Sequence, residues 1–164
     1  ITAIYVTHDQ SEAMSISDTI IIMNRGEIAQ MGDPMNIYYH PNSEFVADFI
    51  GEANFLHATA LGMDGMVCRV SIDGYEAEVE TNQAMTAGQP CEVVLRPEAI
   101  RIGTDGLLPC AVELSCFMGS YQNYHVRVGD TLVKIADNCP VNKRIFNVGE
   151  RAFLSFDREC AHLL

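Results

Sequence analysis

The chain has 164 residues, of which 48% are hydrophobic and 20% are charged, a composition typical of folded globular proteins. Its 22 acidic and 10 basic residues give a net charge of −12 at neutral pH. Because nucleic acids and anionic lipids are bound mainly through Lys and Arg, this charge argues against both as general partners.

The cysteine and histidine pattern predicts no metal site. The six Cys form no C-x-x-C pair, and the five His do not gather near them. No signal peptide and no apolar run of transmembrane length is present, so we expect a cytoplasmic protein with reduced thiols. Cys110 and Cys116 lie six residues apart on one predicted strand, and we expect both to be small core residues.

The chain begins with a short apolar, β-branched segment, Ile1–Val6, which predicts a buried strand. A central strand needs neighbours on both sides, and residue 1 is Ile rather than Met. We therefore expect the chain to be the C-terminal part of a longer polypeptide that supplies the rest of this sheet.

Helices and one hairpin are predicted up to Gly51. Asp9 and Glu12 are spaced as a capping box, and Asp33-Pro34 and Ser43 are further helix-start signals. The last helix should bury one face formed by its apolar residues. The predicted helices cover residues 10–17, 34–39 and 44–50, the hairpin strands cover 19–23 and 28–31, and the buried face holds Phe45, Val46 and Phe49.

After Gly51 short strands follow one another at about ten-residue spacing, which is typical of an all-β barrel or sandwich. Residues 53–96 and 107–156 each contain a long strand, a hairpin and a closing strand, a weak duplication compatible with a small OB-type barrel. The predicted strands cover residues 53–62, 66–72, 75–80, 91–96, 107–118, 122–129, 131–136 and 151–156.

His8 is the first candidate for chemistry. It follows the first predicted strand and precedes a helix, the edge at which open α/β sheets bind ligands. A neutral imidazole there could bind a phosphate or orient a water molecule. Position alone, however, favours a histidine that merely fixes a turn.

The residues around His8 resemble a known family. Residues 4–14 are similar to the switch region, or H-loop, of ABC transporter ATPases, and the similarity continues through 18–34, 37–41 and 45–54. The string looks like the end of the nucleotide-binding domain in importers of the maltose, polyamine and ferric-iron type.

The tail carries a second resemblance. Residues 94–102 contain Arg96-Pro97-Glu98, which is similar to the signature of TOBE domains, the OB-like regulatory modules attached to those ATPases. Residues 117–120 and 124–128 fit the same module. Thr19 and Phe156 depart from the usual Arg and Trp, and residues 137–147 match nothing well.

Together the resemblances imply a mainly β protein. An OB-like TOBE β-barrel domain at residues 52–164 would follow a short α/β remnant of the ABC nucleotide-binding domain at residues 1–51. His8 would contact the γ-phosphate of ATP and position the attacking water in the complete subunit. Arg96 and Glu98 would be possible regulatory contacts, although Pro97 more simply ends a strand.

The resemblance also implies what lies outside the chain. The Walker A phosphate loop, the Walker B acid and the signature motif are absent from the sequence, so we expect this chain alone to bind no cofactor and to be inactive. In the complete subunit ATP and Mg would support hydrolysis that drives solute uptake through a membrane permease. The expected partners are a second ATPase subunit and the permease, at the inner face of the cell membrane without insertion.

Two other functions remain open from the sequence. The β domain could sense a small oxyanion or solute, with Arg96, Arg101 and Arg127 as the available cations. Tyr121, Tyr124 and His125 could line a ligand cleft, or they could be ordinary cross-strand packing. Single-strand nucleic-acid binding is the weakest reading because of the charge of −12.

Overall fold

The computed structural model describes residues 2–164, which divide into two compact units between residues 52 and 53. The predicted boundary at 51/52 lies one residue from this division. Each unit has its own hydrophobic core.

The first unit contains three short helices and one hairpin. Each helix starts at a side chain that accepts a hydrogen bond from the backbone three residues later: Asp9, Asp33 and Ser43. The predicted helix starts are therefore confirmed. The elements are α1 (Gln10–Ile16), β1 (Ile20–Asn24), β2 (Glu27–Gly32), α2 (Pro34–Tyr39) and α3 (Glu44–Ile50).

The predicted first strand is wrong for residues 2–6, and Ile1 lies outside the described residues. Residues 2–6 are not in a strand, and the side chains of Ile4 and Val6 are 93% and 90% exposed. A strand needs a neighbour to pair its backbone N–H and C=O groups, and no described strand pairs with this segment.

The predicted buried face of α3 is also partly wrong. Val46 is buried as expected, but it is joined by Ala47 and Ile50. Phe45 and Phe49 instead stack on each other at the surface, with ring centroids 5.6 Å apart. Residues four apart share a helix face, so the two rings lie together on an exposed face of α3, next to the buried face formed by Val46, Ala47 and Ile50.

The second unit is built from ten strands, all paired antiparallel. Eight of them match the predicted strands closely. The strands are β3 (Asn54–Asp64), β4 (Val67–Ile72), β5 (Tyr75–Glu80), β6 (Pro90–Leu95), β7 (Arg101–Gly103), β8 (Leu108–Phe117), β9 (Tyr121–Val128), β10 (Thr131–Asn138), β11 (Arg151–Ser155) and β12 (Ala161–Leu163).

The ten strands form two five-stranded sheets of the same design. One has the order β12-β6-β3-β4-β5 and the other β10-β9-β8-β11-β7. In each, a long strand lies at the centre, a hairpin at one side, and a closing strand and a short edge strand at the other. The weak duplication read from the sequence is therefore present in the topology.

The two short edge strands are exchanged between the halves. β7 follows β6 in the chain but pairs with β11 of the other sheet, and β12 follows β11 but pairs with β6. Each crossing starts with a single 3-10 turn, Pro97–Ala99 or Arg158–Cys160. The sequence did not predict either strand, because three residues are too few to show an alternating pattern.

One hydrophobic core joins the two sheets, and a buried amide links them directly. Asn54, at the start of β3, donates from Nδ2 to the carbonyl oxygens of Leu95 and Lys134, at 3.2 and 2.9 Å. Its Oδ1 accepts the backbone N–H of Lys134 at 2.7 Å. These three hydrogen bonds of Asn54 connect β3 and β6 of one sheet to β10 of the other.

An irregularity in β8 corrects the prediction for the cysteines. Cys110 is buried, as expected, but Cys116 is exposed. The register of β8 against β9 shifts between Val112 and Leu114, so one extra residue lies between them. Such a bulge reverses which side chains face inward, and the simple count of six residues no longer places both thiols on one face.

Candidate functional site

His8 lies in a bend directly before α1, and its side chain is exposed. The bend is set by Asp9, whose carboxylate accepts the backbone N–H of Glu12 at 3.0 Å and starts the helix. The next residue, Gln10, donates a hydrogen bond from its side chain to the backbone carbonyl of Phe49 in α3. The imidazole is thus presented at the start of a helix that is anchored on its neighbour.

A small hydrogen-bond network fixes the backbone on both sides of His8. Thr7 Oγ1 accepts the Asp9 N–H at 2.9 Å and donates to Glu12 Oε2 at 2.8 Å, and the Tyr5 hydroxyl donates to the same oxygen at 3.2 Å. The capping box is therefore only half formed: Asp9 caps the helix, but Glu12 binds two hydroxyl groups in place of the Asp9 N–H. Thr7 already satisfies that N–H.

Arg96 and Glu98 lie where the chain leaves β6 for the other sheet. Arg96 is buried, with 4% of its surface exposed, and it precedes the 3-10 turn Pro97–Ala99. Glu98 is exposed on that turn. The buried guanidinium and the proline at the crossing favour a structural role for the Arg-Pro-Glu motif.

The other two arginines considered for anion binding are held by carboxylates. Arg101 forms two hydrogen bonds of 2.8 Å with Asp157, and Arg127 binds Glu113 at 2.9 and 3.1 Å. The hydrogen bonds from each guanidinium are the main cause that lowers the pKa of its partner carboxyl. An oxyanion would have to compete with these carboxylates, so the oxyanion-sensing alternative is not favoured.

The three residues proposed as cleft-lining do not share a face. Tyr124 is fully buried, and its hydroxyl accepts the backbone N–H of Phe146 at 3.3 Å. Tyr121 and His125 are half-buried and occupy the alternate positions of β9, on its other side. The packing interpretation is therefore correct for Tyr124.

A cleft does exist close by, between the β8–β9 hairpin and the segment 139–148. Its volume is about 800 Å³, and Phe117, Gln122, Val141 and Ile145 are among the side chains that line it. We call it the neutral cleft. Sequence reasoning missed it, although one signal was available: Gln122 is a polar residue at an inward position of a strand whose other inward residues are apolar or aromatic.

The described residues contain no metal-binding cluster and no helix that could span a membrane. Within residues 2–164, no three His, Cys, Asp or Glu side chains are grouped closely enough to hold a metal ion. None of the helices described is both long and apolar enough to cross a membrane.

Comparison with known proteins relates the whole chain to import ATPases. Residues 93–164 match the family described as the TOBE domain. The chain is 38% identical, over its full length, to the spermidine/putrescine import ATP-binding protein PotA 1 of Pseudomonas aeruginosa, and equally to PotA of Ruegeria pomeroyi. These relatives are ATPase subunits of ABC transporters. The chain is thus similar, along its whole length, to part of these proteins.

Two further comparisons define the extent of the similarity. The chain spans 45% of the length of the P. aeruginosa protein and 46% of that from R. pomeroyi. PotA of Vibrio vulnificus strain YJ016 is 50% identical over 103 residues, which are 62% of this chain and 27% of that protein. A molybdate-bound structure of the molybdate-binding protein ModG superposes with a TM-score of 0.55 at 15% identity, covering 67% of this chain and 94% of that one. The latter likeness supports the OB-like fold alone.

The TOBE match and the similarity to import ATP-binding proteins along the whole chain confirm the resemblance noted in the sequence. The mainly β, OB-like fold expected for the tail is also confirmed, by the two-sheet structure and by the ModG likeness. The TOBE match starts at Val93 in β6, so it covers the second half of the duplicated unit and the crossing strands, including Arg96 and Glu98.

Proposed function

We propose that this chain works as part of the ATP-binding subunit of an ABC importer, with polyamines as the first candidate solutes. The observation that carries the proposal is the similarity to spermidine/putrescine import ATP-binding proteins along the entire chain. In that subunit ATP hydrolysis would drive uptake through membrane permease subunits, with the chain at the cytoplasmic face of the membrane.

In this proposal His8 contacts the γ-phosphate of ATP and helps to orient the attacking water. Its exposure at a helix start, and the Thr7–Glu12 network that fixes the backbone beside it, support this role. Phosphoryl transfer depends mainly on positioning and charge stabilisation, which a fixed imidazole can supply. The phosphate loop and Walker B acid that hold ATP and Mg would come from residues outside this chain, which alone would be inactive.

The second unit, called the TOBE unit because it contains the family match at residues 93–164, would serve regulation and pairing of two ATPase subunits. Arg96 would act by holding the crossing between the two sheets, and Glu98 is the exposed group of that motif that a partner subunit could contact. Sedimentation velocity of the chain tests the pairing. A dimer is expected, and a monomer at all concentrations would contradict a pairing role for this unit.

The role of His8 is tested in a chimera. The matching region of the P. aeruginosa PotA 1 protein is replaced by this chain, and ATP hydrolysis is measured with the cognate permease. We expect the His8→Ala chimera to retain ATP binding and to lose about 100-fold or more in hydrolysis rate, as is typical when a group that positions water is removed.

His57→Ala is the matched control, since His57 is also exposed but lies on β3 in the second unit. It should leave the rate unchanged. Equal rates for the His8→Ala and the unsubstituted chimera would contradict the assignment of His8.

A further inference from the structure

The neutral cleft of the second unit is a candidate binding site that the ATPase function does not use. Its wall on one side is the segment 139–148, most of which lies in the stretch 137–147 that matches neither resemblance well. That wall is apolar: it presents Pro140, Val141, Ile145 and Val148, opposite Phe117 on β8. The cleft volume of about 800 Å³ is in the range of small-molecule sites.

The bulge in β8 creates the other wall. Beyond the shift at Val112/Leu114, Ser115 pairs with Tyr124 and Phe117 pairs with Gln122. Directly paired residues of antiparallel strands share a face, so Ser115 and Phe117 lie on the same side of the sheet as Tyr124 and Gln122. At the end of the strand, Phe117 is 69% exposed and forms the open rim of the cleft. Without the extra residue, Leu114 and Cys116 would occupy that face and the cleft would have a different lining.

A hydrogen-bonded polar pair, the buried Gln122 and the half-buried Ser115, lies in this mainly apolar site. Gln122 is 3% exposed and donates from Nε2 to Ser115 Oγ at 2.9 Å. This bond uses one end of the amide, so Gln122 Oε1 is available to accept a hydrogen bond and the Ser115 hydroxyl is available to donate one. A ligand that carries both a donor and an acceptor could therefore be oriented in the cleft.

The segment that closes the cleft is held in place by several contacts. Lys143 Nζ binds Asp137 Oδ1 at 2.6 Å and the Asn138 carbonyl at 2.8 Å, and Phe146 is buried in the core below. Glu150 accepts the Asn147 N–H at 2.7 Å. The wall is thus preformed, which is typical of small-molecule sites and lowers the ordering cost of binding.

The chemistry of the lining decides what can bind. No lining side chain carries a charge, since the polar members are Ser115, Gln122 and Asn147. Burying a phosphate or an ammonium group without an opposite charge is costly, which argues against nucleotides, oxyanions and polyamines. Eight side chains line the cleft, whereas a stable protein interface uses about 20–30 residues on each side.

We propose that the neutral cleft binds an uncharged, largely aromatic or aliphatic small molecule that exchanges hydrogen bonds with Gln122 and Ser115. Such a site would give the TOBE unit a ligand that is distinct from ATP and from the transported cation.

The proposal is tested by ¹H–¹⁵N NMR on the 164-residue chain titrated with N-phenyl-1-naphthylamine, a neutral aromatic compound with one N–H donor. We expect saturable shifts confined to amides of residues 115–122 and 140–148. Gln122→Leu should weaken binding about 2- to 10-fold through loss of a hydrogen bond.

Two exposed apolar residues supply a matched pair of variants. Val141→Asp places a charge in the cleft wall, and Met66→Asp places one on the β3–β4 turn. We expect about a tenfold or greater loss of affinity for Val141→Asp and no change for Met66→Asp. Shifts outside the cleft, equal effects of the two variants, or cleft shifts produced by raising the protein concentration alone would overturn the proposal, the last because a second copy would then occupy the site.

Discussion

The six thiols divide into two groups by burial. Cys68, Cys91 and Cys110 are buried, and the other three are exposed. Burial raises the pKa of the Cys110 thiol to about 11, so almost none of it is thiolate at pH 8. We expect three thiols to react rapidly with an aromatic disulfide reagent in the native chain, and three more only after unfolding. The reaction is measured by the absorbance of the released reagent. Rapid reaction of all six thiols would contradict the burial of Cys68, Cys91 and Cys110.

The Arg101–Asp157 pair predicts a pH-dependent contribution to stability. Hydrogen bonds from Arg101 lower the pKa of the Asp157 carboxyl below its unfolded value. Its contribution is therefore present above the unfolded pKa of about 4 and is lost as the pH falls through the folded pKa. We expect Asp157→Asn to lower the melting temperature at pH 7 and to have little effect at pH 2.

Asp64→Asn is the control for this comparison, since Asp64 is exposed at the end of β3. Its melting temperature should follow that of the unsubstituted chain across the pH range. A deficit for Asp157→Asn that stays constant from pH 7 to pH 2 would refute the ion-pair explanation.

At the scale of elements, the exchanged edge strands make the two halves of the second unit depend on each other. β12 completes the sheet of the first half, where Leu163 is fully buried and Ala161, His162 and Leu163 pair with β6. We expect Leu163→Ala to lower the free energy of unfolding of the unit by about 2–5 kcal/mol, measured by urea unfolding. This is the loss typical of a leucine in a hydrophobic core, and Leu163 is fully buried.

A partly exposed leucine is the control for this loss. Leu132 on β10 is 40% exposed, and Leu132→Ala should cost less than about 1 kcal/mol. Equal free energies of unfolding for the two variants would show that β12 is not part of the cooperative core.

Local rules were enough to predict some elements and not others. The starts of α1, α2 and α3 follow from Asp9, Asp33-Pro34 and Ser43, because a cap acts within its own turn. The edge strands β7 and β12 depend on partners about 50–70 residues away, which no local pattern records. The same holds for the bulge in β8, which exposed Cys116 and formed the cleft.

The candidate site was predictable only where its signal was local. His8 was named from its place before a helix and from the similarity of its neighbours. The pairing of Arg101 with Asp157 joins residues 56 apart, and that of Arg127 with Glu113 crosses two strands. Neither ion pair could be read from spacing, and both weaken the oxyanion alternative.

At the scale of the whole molecule, the two units have different surfaces. The hairpin β1–β2 places Ile20 and Ile22 in its own core, while its other face presents exposed apolar side chains. Ile21 pairs with Met31 and Met23 with Ile28 on that face, and these four residues are 52–61% exposed. The second unit buries a core formed by both sheets, and this core contains most of the buried hydrophobic residues described.

The central claim is that this chain is a working part of an importer ATPase, and uptake tests it most directly. Cells that lack PotA 1 are given the PotA 1 chimera carrying this chain, and the accumulation of labelled putrescine is measured at matched protein levels. The account predicts uptake that depends on the chimera and is lost with His8→Ala but kept with His57→Ala. A stable chimera that binds ATP and assembles with the permease yet supports no uptake would contradict it.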